Sequence, residues 1–148
     1  ADFGGRIQLA ISLHAGTDAV RQQIIPMAKR VPMAALREAA GRYEALRAGR
    51  TMVEYVVLPG LNDTPSELDG LAAWMHGLRG VVNLIPFNPF PNAPWRTPED
   101  AEVTAVRDGL QARGVVVTIR WPRGREASGA CGQLMLAPRP PRLQESSC

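Results

Sequence analysis

Residues 52–67 read MVEYVVLPGLNDTPSE, and this stretch decides the fold. Met52–Leu58 is an apolar run of strand length, and the Pro-Gly-Leu-Asn-Asp at 59–63 is a loop by composition. Thr64-Pro65-Ser66-Glu67 then reads as a helix start. Thr64 caps, Pro65 takes the first position where a missing N–H does no harm, and Glu67 closes a capping box. Leu68, Leu71, Ala72, Met75 and Leu78 follow at helical spacing and supply a buried face.

The same strand–helix unit recurs on both sides. Upstream, Ile7–Leu13 (IQLAISL) is a strand, and Thr17 or Asp18 caps a helix to about Arg30 with Val20, Ile24, Ile25 and Met27 on its apolar side. Pro32 sits in the first turn of another helix carrying Met33, Leu36, Ala40 and Tyr43. Downstream, Val81–Phe87 is a strand that runs into a Pro/Asn-rich loop. Thr97-Pro98-Glu99-Asp100 repeats the helix start, with Val103, Val106 and Leu110 inward, and Val115–Ile119 is a fourth strand.

Near-continuous apolar strands alternating with helices predict an α/β fold with a parallel sheet covered by helices, a partial (β/α) barrel. No GxGxxG follows the first strand, so a dinucleotide-binding Rossmann domain is unsupported. Barrels keep their chemistry at the C-terminal ends of the strands. That rule selects Ser12–Ala15, Pro59–Asp63, Asn88–Asn92 and the loop after Arg120.

The 148 residues, 45% hydrophobic and 21% charged, suit one domain with a core. No apolar run approaches bilayer length, and the first residues lack the basic and apolar regions of a secretory leader. The net charge of +3 comes almost wholly from arginine, Lys29 being the sole lysine. It is a weak pointer to nucleic acid, although the planar guanidinium suits phosphate. Cys131 and Cys148 lie in unlike contexts and suggest no disulfide framework, so a cytoplasmic setting is expected.

Several residues admit two readings. His14 at a strand end is a ligand contact or a hydrogen-bonded structural histidine, Asn88 a contact or a turn residue, and Ser12 a contact or a cap for backbone groups. Cys131 is a small buried apolar residue or, given its flanking glycines and nearby Arg123 and Arg125, an exposed thiol favouring thiolate. Arg120, Trp121, Arg123 and Arg125 are a solvated loop, or a cluster that contacts phosphates and stacks on a base. Trp74 and Trp95 read as packing residues, and Met27, Met33, Met52 and Met75 as core.

LAISLHA at 9–15, EYVVLPGLND at 54–63, NLIPFNPFPNAP at 83–94 and ACGQL at 130–134, in this order and spacing, resemble the RlmN- and Cfr-type radical-SAM rRNA adenine methyltransferases. The PFNPFPNAP run favours the RlmN type, which acts on C2 of adenine. The resemblance implies S-adenosyl-L-methionine as cofactor, contacted by Ser12, Leu13, His14 and Asn88. Cys131 is then the cysteine that is S-methylated and delivers its carbon to the base. Adenine C2 is electron-poor and has no acidic proton, so polar methyl transfer lacks a nucleophile, and a thiol-tethered carbon radical avoids that difficulty. The resemblance also implies 23S rRNA and tRNA as partners, an external electron donor and a [4Fe-4S] cluster held by three cysteines in CxxxCxxC. This sequence has no such motif.

Residues 1–134 are thus expected to be the C-terminal part of a radical-SAM barrel with its methyl-carrier loop, and 135–148 a disordered tail. The chain by itself is expected to be inactive. The rival expectations are a non-catalytic half-barrel remnant or interaction module, and one half of a split enzyme.

Overall fold

The computed structural model describes residues 8–47 and 49–123. Four strands, β1 (Leu9–Ser12), β2 (Thr51–Val57), β3 (Val81–Pro86) and β4 (Val117–Ile119), form one parallel sheet in the order β1-β2-β3-β4. Helices α1 (Asp18–Ile24) and α2 (Met33–Leu46) connect β1 to β2, α3 (Pro65–Met75) connects β2 to β3, and α4 (Asp100–Ala112) connects β3 to β4. Sequential order with right-handed crossovers puts all the helices on one face, the winding of a barrel arc and not of a doubly wound sheet. The expected α/β partial barrel is therefore the observed fold.

The strands alternate between two environments. Val53, Tyr55, Val57, Val82 and Leu84 are fully buried on the helix-covered face. They pack with Met33 and Ala40 of α2, Leu68, Leu71 and Trp74 of α3, and Val103, Val106 and Leu110 of α4. Burial of each large side chain contributes about 1.5–3 kcal/mol relative to exposure, so this one cluster dominates stability. The opposite face carries Ser12, Met52, Glu54, Val56, Asn83, Ile85 and Thr118, all half-buried or exposed. Apolar runs alone predict helices over the sheet but not that one face stays open.

Local departures have identifiable causes. The helix expected to reach Arg30 ends at Ile24, because Pro26 has no N–H to continue the ladder and opens a separate 3-10 turn, Pro26–Lys29. Met27 consequently points outward at 59% exposure and is not core, and Met52 lies half-buried on the open face. Pro32 is the N-cap of α2 and not a residue of its first turn. The α4 cap is Glu99, not Thr97: its side chain accepts from the Glu102 N–H while Glu102 reaches back to the Glu99 N–H. Trp74 packs as expected, and its indole N–H donates to the Met33 carbonyl at 2.8 Å.

Candidate cofactor-binding rim

All four strands point the same way, so the chain leaving each one emerges on a common rim. Its most constrained part is the turn after β1. The Leu13 and His14 N–H groups both donate to the Glu54 carbonyl, at 3.1 and 3.3 Å. His14 then adopts φ 62°, a left-handed conformation uncommon for a residue with a Cβ. Its imidazole takes over where β1 stops, because Nδ1 accepts from the Val56 N–H at 3.0 Å. That bond places the neutral ring's proton on Nε2, so any side-chain donation to a ligand comes from there. Burial pushes the His14 pKa down, Glu54 opposes this and Arg21 adds to it.

Asn62 is the hub beneath this turn. It is fully buried, and its carboxamide donates to the His14 and Val56 carbonyls at 2.9 and 2.6 Å while accepting from the Leu58 N–H at 2.8 Å. The Tyr55 hydroxyl donates to the Asn62 carbonyl at 2.8 Å. One side chain thereby joins the loops after β1 and β2.

Glu67 secures the far end of the turn. Thr64 does cap α3, accepting from the Glu67 N–H at 3.4 Å. The Glu67 carboxylate, however, does not close the expected capping box. It crosses to the loop after β1 and accepts from the Gly16 and Thr17 N–H groups at 2.6 and 3.2 Å and from the Thr17 hydroxyl at 2.6 Å. Thr17 in turn accepts from the Val20 N–H and caps α1. The backbones meet so closely that a Cβ on Gly16 would lie 1.8 Å from the Glu67 carbonyl oxygen, and one on Gly70 2.3 Å from that of Gly16.

The residues expected to contact the cofactor are placed as follows. Ser12 is exposed at the end of β1, and its hydroxyl donates to Glu54 Oε2 at 3.0 Å. Leu13 is buried in the core with its N–H already committed to the Glu54 carbonyl. His14 is half-buried beside Ser12. Asn88 is exposed on the loop after β3, next to Phe87, whose ring meets those of Phe90 and Trp95 edge-on at centroid distances of 6.2 and 5.9 Å. The aromatic contacts brace this loop, in keeping with the packing role expected of Trp95. Arg120, Trp121 and Arg123 follow β4 at the same rim and are exposed, Trp121 by 42%. Arg125 and Cys131 lie outside the described residues, as does the expected tail at 135–148.

Asn62 and Glu67 were not singled out by sequence reasoning, because a loop asparagine and a capping-box glutamate both look locally explained. Glu54, Asn83 and Thr118 also escaped it. Their signal was present as the polar residue interrupting each apolar run, in MVEYVVL, VVNLIPF and VVVTI.

The donor set fits a polar organic cofactor along the rim, with Ser12 Oγ, His14 and Asn88 available to it. It does not fit an iron–sulfur cluster. Both cysteines lie outside the described residues, and among the described residues no group of three or more His, Cys, Asp or Glu is arranged to hold a metal.

The strand order and the common rim are those of a (β/α) barrel arc, and the fold has a radical-SAM methyltransferase as structural neighbour. A radical-SAM methyltransferase from Sphaerobacter thermophilus superposes with a TM-score of 0.81 at 39% identity, over 86% of this chain and 38% of that one. The chain is homologous over most of its own length to RlmN-type RNA methyltransferases. A probable dual-specificity RNA methyltransferase RlmN from Thermus thermophilus is 44% identical over 135 residues, 90% of this chain and 38% of that protein. A probable RNA methyltransferase from Sorangium cellulosum is 48% identical over 130 residues, 87% of this chain and 32% of that protein. The chain thus spans about a third of the length of these curated relatives. No family model matches it. No helix among the described residues is long and apolar enough to cross a membrane.

Proposed function

We propose that the chain is the part of a cytoplasmic radical-SAM methyltransferase that presents the cofactor-binding rim and the methyl-carrier cysteine to RNA. The substrate is an adenine of 23S rRNA, methylated at C2, with tRNA as a second substrate. What carries the reading is the turn after β1: the LAISLHA segment shared with the resemblance folds into a strand end locked by Glu54, Asn62 and Glu67.

In this reading Ser12 Oγ, its proton committed to Glu54, offers an acceptor, His14 a side-chain donor at Nε2, Leu13 its carbonyl and Asn88 its carboxamide to S-adenosyl-L-methionine. Bound there, the cofactor would supply an activated methyl group to the thiolate of Cys131, the sulfonium–methyl bond breaking as the new sulfur–carbon bond forms and S-adenosylhomocysteine leaving. The rim's own contribution is positional. A backbone fixed at both ends of 13–17 holds donors without reorganising when the ligand arrives, which is how preorganisation aids binding and rate. Arg120 and Arg123 supply phosphate contacts and Trp121 a stacking face for RNA, with Arg125 extending the cluster. The CxxxCxxC motif that would hold the class's cluster is absent from this sequence.

Replacing Cys131 by Ala in the full-length protein tests this assignment. Methyl transfer from isotopically labelled S-adenosyl-L-methionine to RNA is expected to stop, while Cys148→Ala leaves it intact. Continued RNA methylation by the Cys131→Ala protein overturns the carrier role.

A further inference from the structure

The open face of the sheet carries a row of polar side chains of which the rim assignment uses only Ser12. Ser12 pairs in register with Glu54, Glu54 with Asn83, and Asn83 with Thr118, so the four lie in one line across all four strands. Above and below the row the same face is apolar, with Ala10, Met52, Val56, Val81 and Ile85. A carboxylate on a half-buried apolar surface is costly unless its oxygens are hydrogen-bonded. Glu54 Oε2 accepts from Ser12, but no described residue donates to Oε1. Asn83 is complementary: the Thr118 hydroxyl donates to its Oδ1 at 3.1 Å, and no described residue accepts from its Nδ2.

A spare acceptor and a spare donor therefore stand side by side on adjacent strands, about 4.8 Å apart at the backbone. A ladder serving only to hold the sheet together would leave neither spare. An anion is disfavoured by the carboxylate, and a simple ammonium would leave Asn83 Nδ2 without an acceptor. An amino group beside a ring nitrogen satisfies both.

We propose that Glu54 and Asn83 read the polar edge of an adenine ring, Glu54 Oε1 accepting from the exocyclic amine and Asn83 Nδ2 donating to the adjoining ring nitrogen. Thr118 acts as a positioning residue that fixes the Asn83 carboxamide, as Ser12 does for the Glu54 carboxylate. The inference rests on the proposed function, which brings adenine to this face from two sources, the cofactor and the RNA.

Calorimetric titration of the full-length protein tests it with two probe pairs. One is S-adenosylhomocysteine against its analogue lacking the 6-amino group. The other is a single-stranded RNA oligonucleotide containing adenosine against the same oligonucleotide with purine riboside in its place. The wild type is expected to prefer the amino form by about tenfold or more in one arm, the usual scale for a hydrogen bond to a charged acceptor. Glu54→Leu is expected to abolish that preference and Thr118→Val to reduce it, and the affected arm identifies the source. Should Glu54→Leu fail to fold, Thr118→Val, altering an exposed side chain, carries the test. Binding with no preference in either arm, or a preference that neither variant changes, overturns the inference and leaves the methyltransferase reading standing. A folded wild type that binds neither probe class overturns both.

Discussion

Replacing Glu67 by Ala is expected to loosen the rim more than any other single change in α3. Glu67 is 3% exposed, and its carboxylate accepts from three donors, the Gly16 and Thr17 N–H groups and the Thr17 hydroxyl. Its removal leaves the buried Gly16 N–H with no acceptor, a loss of about 1–3 kcal/mol. The charge-assisted bonds to Thr17 add roughly 1–2 kcal/mol, offset in part by no longer burying the carboxylate. The net expectation is about 3 kcal/mol, which in a domain of this size lowers the melting temperature by about 10 °C. Glu67→Gln keeps the shape but turns an amino group toward these donors, so it is expected to cost about half as much. Thermal denaturation followed by circular dichroism reads the stability, and amide hydrogen exchange at Gly16 and Thr17 reads the local effect. In a Thr17→Val background Glu67→Ala is expected to cost about 1 kcal/mol less, since the two side chains are directly bonded. A drop of under about 3 °C for Glu67→Ala, with unchanged exchange at Gly16, refutes the idea that this side chain holds the turn.

Other outcomes follow from the same geometry. Gly16→Ala places a Cβ against the Glu67 carbonyl at 1.8 Å; with backbone on both sides the loop must move, and a loss on the order of 3 kcal/mol in denaturant unfolding is expected. Tyr55→Phe removes the hydroxyl that donates to the Asn62 carbonyl and is expected to cost about 1–2 kcal/mol by the same measurement. His14 contributes a pH dependence. Burial holds its folded pKa below the ordinary 6.5, so the folded state favours the neutral ring. Its contribution is full above 6.5 and is lost as pH falls through that value toward the lower folded pKa. The stability advantage of the wild type over His14→Gln is therefore expected to shrink between pH about 8 and about 5, and an advantage that grows on acidification contradicts the assignment.

The sheet was legible in the sequence because each strand is an apolar run bounded by turn residues, and the strand–helix alternation fixed its parallel sense. Boundaries failed where two signals overlapped. Pro26 outweighed a helical apolar pattern, and in TPED the Glu99/Glu102 pair displaced the Thr-Pro signal that does operate at Thr64. The rim was legible as a location, since strand ends are where barrels place their chemistry. Its supports were not. Glu67 has a sufficient local explanation as a capping residue, and only the fold reveals that its carboxylate serves Gly16, 51 positions away. The polar row needed strand register, which brings Ser12, Glu54, Asn83 and Thr118 level and which no single strand encodes.

The central claim is that this chain is part of an enzyme that methylates adenine at C2 in RNA. Its most direct test is nucleoside mass spectrometry of rRNA and tRNA from a host that lacks its own RlmN-type activity and expresses the full-length protein. The account predicts 2-methyladenosine in 23S rRNA and in tRNA. Formation of 8-methyladenosine alone, or of no methylated adenosine by a folded, expressed protein, contradicts it.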